Sequence, residues 1–288
     1  MPRDKCAGHL CSPHPIQGRA LQAETIIEVP FELHHPLHSL LQDPSDADEL
    51  PVPPANRRLF TIRSADSHGQ RSSASVLIKR MYATRGYRSS PLPEQQPPTR
   101  ITLVASDHDM MIGTITIGFD SPSGLHVDDL FAVETSALRQ AGRRICEFTT
   151  LAMDSVVRSK RVLASLFHVS YIYAHRMMGF DNLLIEVNPR HVRYYQRMLG
   201  FKVVGEPRLN RRVNAPAVLM CLDFSHAHDQ IACVAGKPEF SLLDRSLYPH
   251  FFSPSEEAGI VGRLDRVKFD AICTQPQPNP SGYPRVLS

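Results

Sequence analysis

Cys146 to Phe201, CEFTTLAMDSVVRSKRVLASLFHVSYIYAHRMMGFDNLLIEVNPRHVRYYQRMLGF, reads as strand, long helix, strand and second helix, with an acid inside the first strand. Arg144 to Asp154 is the first of these strands. Ser159 to Gly179 then carries Val162, Leu166, Val169, Tyr173 and Met177 at three/four spacing, widened by Leu163, Phe167 and Ala174, so this helix must bury one side against a sheet. Ser159 supplies an N-cap and Gly179 a stop. Leu183 to Val187 has no internal alternation and a single charge, the pattern of a strand covered on both faces. Helix and sheet alternate, so the class is α/β.

Working outward, Arg58 to Arg63 alternates as a first strand, and Ser73 to Tyr87 has Val76, Leu77, Met81 and Tyr82 at helical spacing. Pro91 to Pro98 breaks the chain, after which Ile101 to Ala105 and Met111 to Phe119 form a hairpin around Ser106 to Asp109. Ala132 to Gly142 is a short helix, and Phe201 to Phe224 closes the sheet with two more strands. The expected architecture is a mixed, twisted sheet of about six to seven strands flanked by helices. Residues 57–225 form the domain. Residues 1–56, frequent in Pro and without a sustained apolar period, read as a disordered tail and linker. Residues 226–288 form an extension that packs in part, as a lid or dimer element, through SLLDRSLYPHFFSPSEEAGIVGRL and is disordered over 274–288.

Composition narrows the class of function. The net charge is only +3, a small overall field that argues against a nucleic-acid partner. The basic run from Arg57 to Arg88 suits an acidic or phosphorylated partner, or is a solvated helix face. No apolar run is long enough to span a bilayer and the N-terminus has no continuous apolar segment, so a cytoplasmic protein is expected, with at most transient membrane contact. The six cysteines form no CxxC pair, and reduced thiols follow. Cys6, His9, Cys11 and His14, like His34, His35 and His38, have spacings that bind metals, but they lie in the tail with nothing to orient them, and no metal is expected.

The strand–helix–strand–helix order, with Asn188-Pro189-Arg190-His191 running through Tyr194-Tyr195 to Gly200-Phe201, resembles the core of the GNAT acyltransferase superfamily. The resemblance implies a sheet splayed between its fourth and fifth strands and the transfer of an acyl group from a thioester to an amine. Coenzyme A-dependent members carry a glycine-rich loop after the fourth strand, where amides at a helix N-terminus hold the pyrophosphate. Here that segment is MDSVVRSKRV, Met153 to Val162, without a glycine. Together with GTITIGFDSPSGLHVDDLF, LRQAGRRICEFTTLAMD, IEVNPRHVRYYQRMLGF and NRRVNAPAVLMCLDF, this resembles the FeeM-type N-acyl amino acid synthases, which are similar to the LuxI-type autoinducer synthases. The LuxI pattern has an arginine three residues after the strand glutamate; Thr150 stands there, which weakens the homoserine-lactone reading. The implied reaction moves a long-chain acyl group from acyl carrier protein to the amino group of an amino acid, with no bound cofactor and an acyl-phosphopantetheine thioester as donor. The alternatives are a coenzyme A-dependent N-acyltransferase on a small amine or peptide, and a catalytically silent fold that binds acyl carrier protein or lipid.

Glu147, alone in an apolar strand, is either paired with an arginine for structure or set in the cleft as a base. Glu134 is a second candidate base, or a charge that complements a helix N-terminus. Of Tyr194 and Tyr195, one packs in the core and the other donates to the leaving thiolate, and Tyr195 to Gly200 is one residue longer than the common arrangement. Phe148, Thr149 and Thr150 follow Glu147 as substrate contacts, and Phe119, Leu130, Phe131 and Phe148 are candidates for an acyl slot. Arg158, Lys160 and Arg161 at the start of the main helix are positioned for the carrier's phosphate or its acidic helix, or are ordinary solvated charges. Arg211, with Arg208 and Arg212, is a candidate fork for the acceptor's carboxylate, against a reading as surface charge.

Overall fold

The computed structural model describes residues 25–31, 58–155 and 159–273. Among them run β1 (Ile27–Phe31), β2 (Arg58–Ser64), α1 (His68–Ala83), β3 (Arg100–Asp107), β4 (Met110–Phe119), α2 (Asp128–Gln140), β5 (Ile145–Met153), α3 (Lys160–Tyr171), β6 (Asn182–Val187), α4 (Val192–Leu199), β7 (Lys202–Val203), β8 (Arg208–Asn210), β9 (Ala215–Asp223), α5 (Phe224–Val234) and α6 (Pro254–Cys273). The strands lie in the order β1-β2-β3-β4-β5-β6-β9-β7, with β8 also on β9. Every pairing is antiparallel except β5 with β6.

Local chemistry explains the element ends. Ser67 caps α1 through a capping box with Gln70, so the helix begins before the Ser73 that periodicity marks. His108, at φ 53°, closes the β3–β4 hairpin within the turn read over Ser106 to Asp109. Ser159 caps α3, the helix continues as a wider π turn over Ile172–Met177, and Gly179 ends it at φ 70°. Val162, Leu166 and Val169 are completely buried, as their spacing requires.

The sheet is longer than the expected six to seven strands. Nine are present among the described residues, because Ile27–Phe31, inside the segment read as tail, pairs with β2, and because the stretch after Phe201 holds three strands rather than two. Ile26, Ile27 and Val29 are buried there, and Arg263 of α6 donates to the carbonyl of Ile26. Periodicity misses a five-residue strand whose hydrogen-bonding partner is far away in sequence. The helix read over Ala132 to Gly142 starts earlier, at Asp128, and bends at Phe131. The metal-spaced Cys and His residues at 6–14 and 34–38, and residues 274–288, lie outside the described residues.

Two features of the sheet create a site. β5 and β6 pair only over Ile145 to Glu147 against Asn182 to Leu184, and then part. Where they part, β5 bulges against β4: Thr114 faces Ala152 but Thr116 faces Thr149, and Thr150 takes φ 49°. Ile145, Glu147, Leu184 and Glu186 fall on one face by alternation, the face on which Phe131 of α2 packs with Ile145 and Leu184. The opposite face carries Cys146, Phe148, Leu183 and Ile185 into the main core with α3.

The extension after β9 packs on that core. His168 of α3 is completely buried between the rings of Phe251 and Phe252, accepts from the Phe252 amide through Nδ1 at 2.9 Å, and meets Glu257 of α6 through Nε2 at 3.3 Å. Arg176 also reaches Glu257, at 3.2 Å.

Candidate active site

The parting of β5 and β6 opens into a cavity of about 560 Å³. Its walls come from α1 (Ile78, Tyr82), the loop after α1 (Tyr87, Leu92), β5 (Phe148, Leu151), β6 (Val187), Phe167 of α3 and Tyr195 of α4. One region is polar and contains Arg100, His126, Glu147, Glu186, Asn210 and Arg212. An apolar chamber with a few convergent polar groups is the usual form of a small-molecule site.

Glu147 lines this cavity, yet both of its oxygens are engaged. Oε1 accepts from Arg100 at 2.8 Å and from the His126 amide at 3.0 Å, and Oε2 accepts from the Val127 amide at 3.0 Å. The carboxylate is fully buried. It sits opposite Gly118 on β4, where a Cβ would stand 2.8 Å from Glu147 Cγ; only a glycine leaves it room. The pairing with an arginine is present at a residue that also lines the cavity, and that pairing fastens the loop ahead of α2 to the cavity wall. His126 is held there with Nδ1 3.8 Å from Glu147 Oε1, and burial lowers its pKa against the opposing pull of Glu147.

Glu186 is the second acid in the cavity. Its Oε2 accepts from Asn210 Nδ2 and, at 2.9 Å, from Arg212. Its Oε1 is buried and has no hydrogen-bond partner among the described residues. Burial raises the Glu186 pKa; Arg212 opposes the shift and the nearby Glu147 adds to it. Arg212 also reaches Asp129 at 3.3 Å.

A chain of hydroxyls leads to the bulge: Thr102 Oγ1 to Thr116 Oγ1 at 2.9 Å, and Thr116 Oγ1 to Thr150 Oγ1 at 2.6 Å. Thr114 Oγ1 donates to the Thr150 carbonyl at 2.8 Å. These bonds hold a β-branched residue in the left-handed region, a conformation costing about 1–3 kcal/mol that persists only when its surroundings enforce it. Phe148, Thr149 and Thr150, read from the sequence as substrate contacts, all line the cavity. Tyr195 also lines it, whereas Tyr194 packs edge-on against Tyr195 with ring centroids 5.4 Å apart and does not. Burial raises both phenols, Tyr194 to about 12 and Tyr195 further, so each stays protonated near neutrality.

Other sequence candidates lie elsewhere. Glu134 is bound by Arg208 at 2.5 and 3.2 Å, outside the cavity and beyond the first turn of α2, where Asp128 and Asp129 are the acids; it is neither a base in the cleft nor a helix-start charge. Arg208 further donates to the Leu130 carbonyl and lies over the Phe131 ring at 4.7 Å, so Leu130 and Phe131 form the packing beneath an ion pair and not an acyl slot. Phe119 stacks on Phe180 in the core, which leaves Phe148 as the one of those four residues in the cavity wall. Arg211 is exposed and away from the cavity; Arg212 is the arginine of that turn which enters it. Arg161 donates to the His250 carbonyl at 2.9 Å and lies over the Phe252 ring at 5.5 Å, anchoring the C-terminal extension instead of waiting for a phosphate. Lys160 is exposed, and Arg158 lies outside the described residues.

His126, Arg100 and Glu186 are the functional candidates that sequence reasoning passes over. The signal that singles out Glu147, a lone acid in an apolar strand, is present at Glu186 as well. Nothing local marks Arg100 or His126. No cluster of three His, Cys, Asp or Glu able to hold a metal occurs among the described residues.

The family model of the N-acyl amino acid synthase FeeM matches residues 73–223, just over half of the 288-residue chain. Among solved structures, that of FeeM, an N-acyl amino acid synthase from uncultured soil microbes, is 30% identical, with a TM-score of 0.53, over 58% of this chain and 90% of that one. The AHL synthase LasI is 11% identical with a TM-score of 0.42, over 58% of this chain and 90% of its own. A GNAT-family acetyltransferase from Streptococcus pneumoniae is 16% identical with a TM-score of 0.41, over 57% and 98%. No curated protein matches the chain.

Proposed function

This chain belongs to the FeeM family of N-acyl amino acid synthases and is an N-acyltransferase, and from that premise we propose that it moves a long-chain fatty acyl group from acyl carrier protein to the amino group of an amino acid. The observation that carries the reading is the cavity at the parting of β5 and β6, apolar along Ile78, Leu92, Leu151, Phe148 and Phe167 and polar around Glu147 and Glu186. Its volume of about 560 Å³ lies within the ~300–1,000 Å³ typical of sites that enclose a small molecule. Each methylene buried there contributes about 0.8 kcal/mol, roughly fourfold in affinity, which favours long chains.

The chemistry assigns roles to the chain's residues. The bulge at Thr150 turns backbone out of the ladder beside the parting strands, where amides can receive the developing oxyanion. Tyr195, protonated at working pH, donates to the thiolate as it leaves. Glu147 acts as a positioning residue, holding Arg100 and the His126–Val127 backbone at the wall.

Carrier protein is preferred over coenzyme A as donor because the segment between β5 and α3 lacks the glycines of a pyrophosphate cradle. Its phosphopantetheine arm presents one phosphodiester. Arg85 and Arg88 line the cavity and, with exposed Lys160, offer cations to that phosphate and to an acidic carrier. This donor places the reaction in the cytoplasm. No described helix is long and apolar enough to cross a membrane.

Parallel reactions with palmitoyl carrier protein and palmitoyl-coenzyme A, each with a panel of amino acids, test the proposal by mass spectrometry. N-acyl amino acids formed faster from the carrier protein, at a rate that falls with added salt, are expected. Faster transfer from coenzyme A, or acylation of simple amines in preference to every amino acid, overturns it.

A further inference from the structure

Among the described residues, Glu186 is the acid in the cavity with a buried oxygen left open. Arg212 and Asn210 both bond its Oε2, and Oε1 has no partner there. A buried carboxylate oxygen without a donor is costly, so such an atom calls for a group that brings it an N–H. Glu147 is saturated and offers no such place. By strand alternation Glu186 follows Leu184, the partner of Glu147 at the last paired position before the strands part, onto the same face, two residues into the gap. Glu186 lines the same chamber as Thr150 and Tyr195.

We propose that Glu186 Oε1 binds the ammonium group of the acceptor amino acid and removes its proton, with Arg212 and Asn210 fixing the carboxylate in place. The inference rests on the N-acyl amino acid reading and names the acceptor site within it. The freed nitrogen lone pair forms the C–N bond at the thioester carbonyl carbon. As the tetrahedral centre collapses, the C–S bond breaks and its electron pair leaves on sulfur. The nitrogen gives up two protons in all: the first passes through Glu186 to solvent, and the second, lost as the tetrahedral centre collapses, returns to Tyr195 in place of the proton it gave the thiolate. The groups facing Glu186 are Arg212, Asn210 and Glu147, with His126, Arg100 and Asp129 around them. Burial, aided by Glu147, holds its pKa above the ordinary glutamate value, which moves it toward that of a useful base.

The test compares wild type, Glu186→Gln, Glu186→Asp and His126→Gln with two acceptors: the amino acid the wild type uses best, and hydroxylamine, which is already neutral near pH 7 and needs no base. Glu186→Gln is expected to lower kcat/KM for the amino acid by about a hundredfold at pH 7, the usual scale of a general base. Activity should return as pH rises toward the acceptor's own pKa, while transfer to hydroxylamine stays near wild type. Glu186→Asp should recover part of the loss. Equal loss with both acceptors, or unchanged amino acid turnover in Glu186→Gln, overturns the assignment, and the full pH signature appearing in His126→Gln instead moves the base to His126. If wild type acylates hydroxylamine but no amino acid, the synthase reading itself fails, a result distinct from a failure confined to the Glu186 variants.

Discussion

Replacing Glu147 with glutamine separates a positioning residue from a base, because the two roles predict opposite pairings of stability and turnover. The carboxylate accepts three hydrogen bonds, from Arg100 and the amides of His126 and Val127. A glutamine offers one acceptor oxygen. Turned to keep Arg100 and His126, its NH2 group meets the Val127 N–H, donor against donor, in a site without solvent. That lost bond and unpaired donor cost about 1–3 kcal/mol. Arg100, mostly buried itself, also loses its countercharge, and removing one partner of a buried pair costs about 3–5 kcal/mol where burial is complete. A net loss of about 3 kcal/mol is expected, which for a domain of this size lowers Tm by roughly 6–12 °C. Thermal unfolding followed by circular dichroism measures it, alongside turnover at a temperature where both proteins are folded. Gly118→Ala, which drives a methyl into the Glu147 side chain, should produce the same loss, and the double variant should be far from additive. A Glu147→Gln protein with Tm within about 2 °C of wild type and turnover lowered a hundredfold would refute the positioning role and restore the base.

Further outcomes follow from the same geometry. Tyr195→Phe should lower turnover at least about tenfold, the scale of losing a proton donor, while Tyr194→Phe leaves kcat near wild type, read in a steady-state assay. Phe148 and Phe167 line both the main cavity and a small pocket of about 10 Å³ bordered by Leu183, Phe224 and Tyr248, so Phe148→Ala should join the two and shift the preferred donor to longer chains in a competition assay. His168 is held neutral by burial, its folded pKa below the ordinary value; the unfolded state therefore binds more protons, and stability present at pH 7 falls as pH drops through about 6.5. Urea midpoints of wild type should decline between about pH 7 and 5.5, and that slope should flatten in His168→Gln.

Much of the fold is legible in the chain. The stripe Val162, Leu166, Val169 defines α3, the uniform apolar run at Leu183 to Val187 defines β6, and the capped ends at Ser159 and Gly179 lie where the structure has them. Each of these signals is carried by residues within a few turns of one another. β1 escapes because a short strand announces itself only through its partner, here β2. The site is legible in type but not in membership. A lone acid in an apolar strand marks both Glu147 and Glu186, yet which of the two is saturated depends on Arg100, 47 positions from Glu147, and on the loop that leads into α2.

Read without its fold, the chain already specifies the α/β class, the main helix and its buried side, and the two strands that the family resemblance implies will part, with an acid and a tyrosine pair beside them. Folding settles the rest: Tyr195 rather than Tyr194 in the cavity, Arg212 rather than Arg211, Glu134 and Arg161 spent on ion-pair and anchoring contacts, and Glu186 with an open oxygen. The physical reason is range. Periodicity and capping arise from neighbours along the chain, whereas the role of a charged side chain is set by which donors and acceptors surround it after folding, and those come from strands and loops distant in sequence.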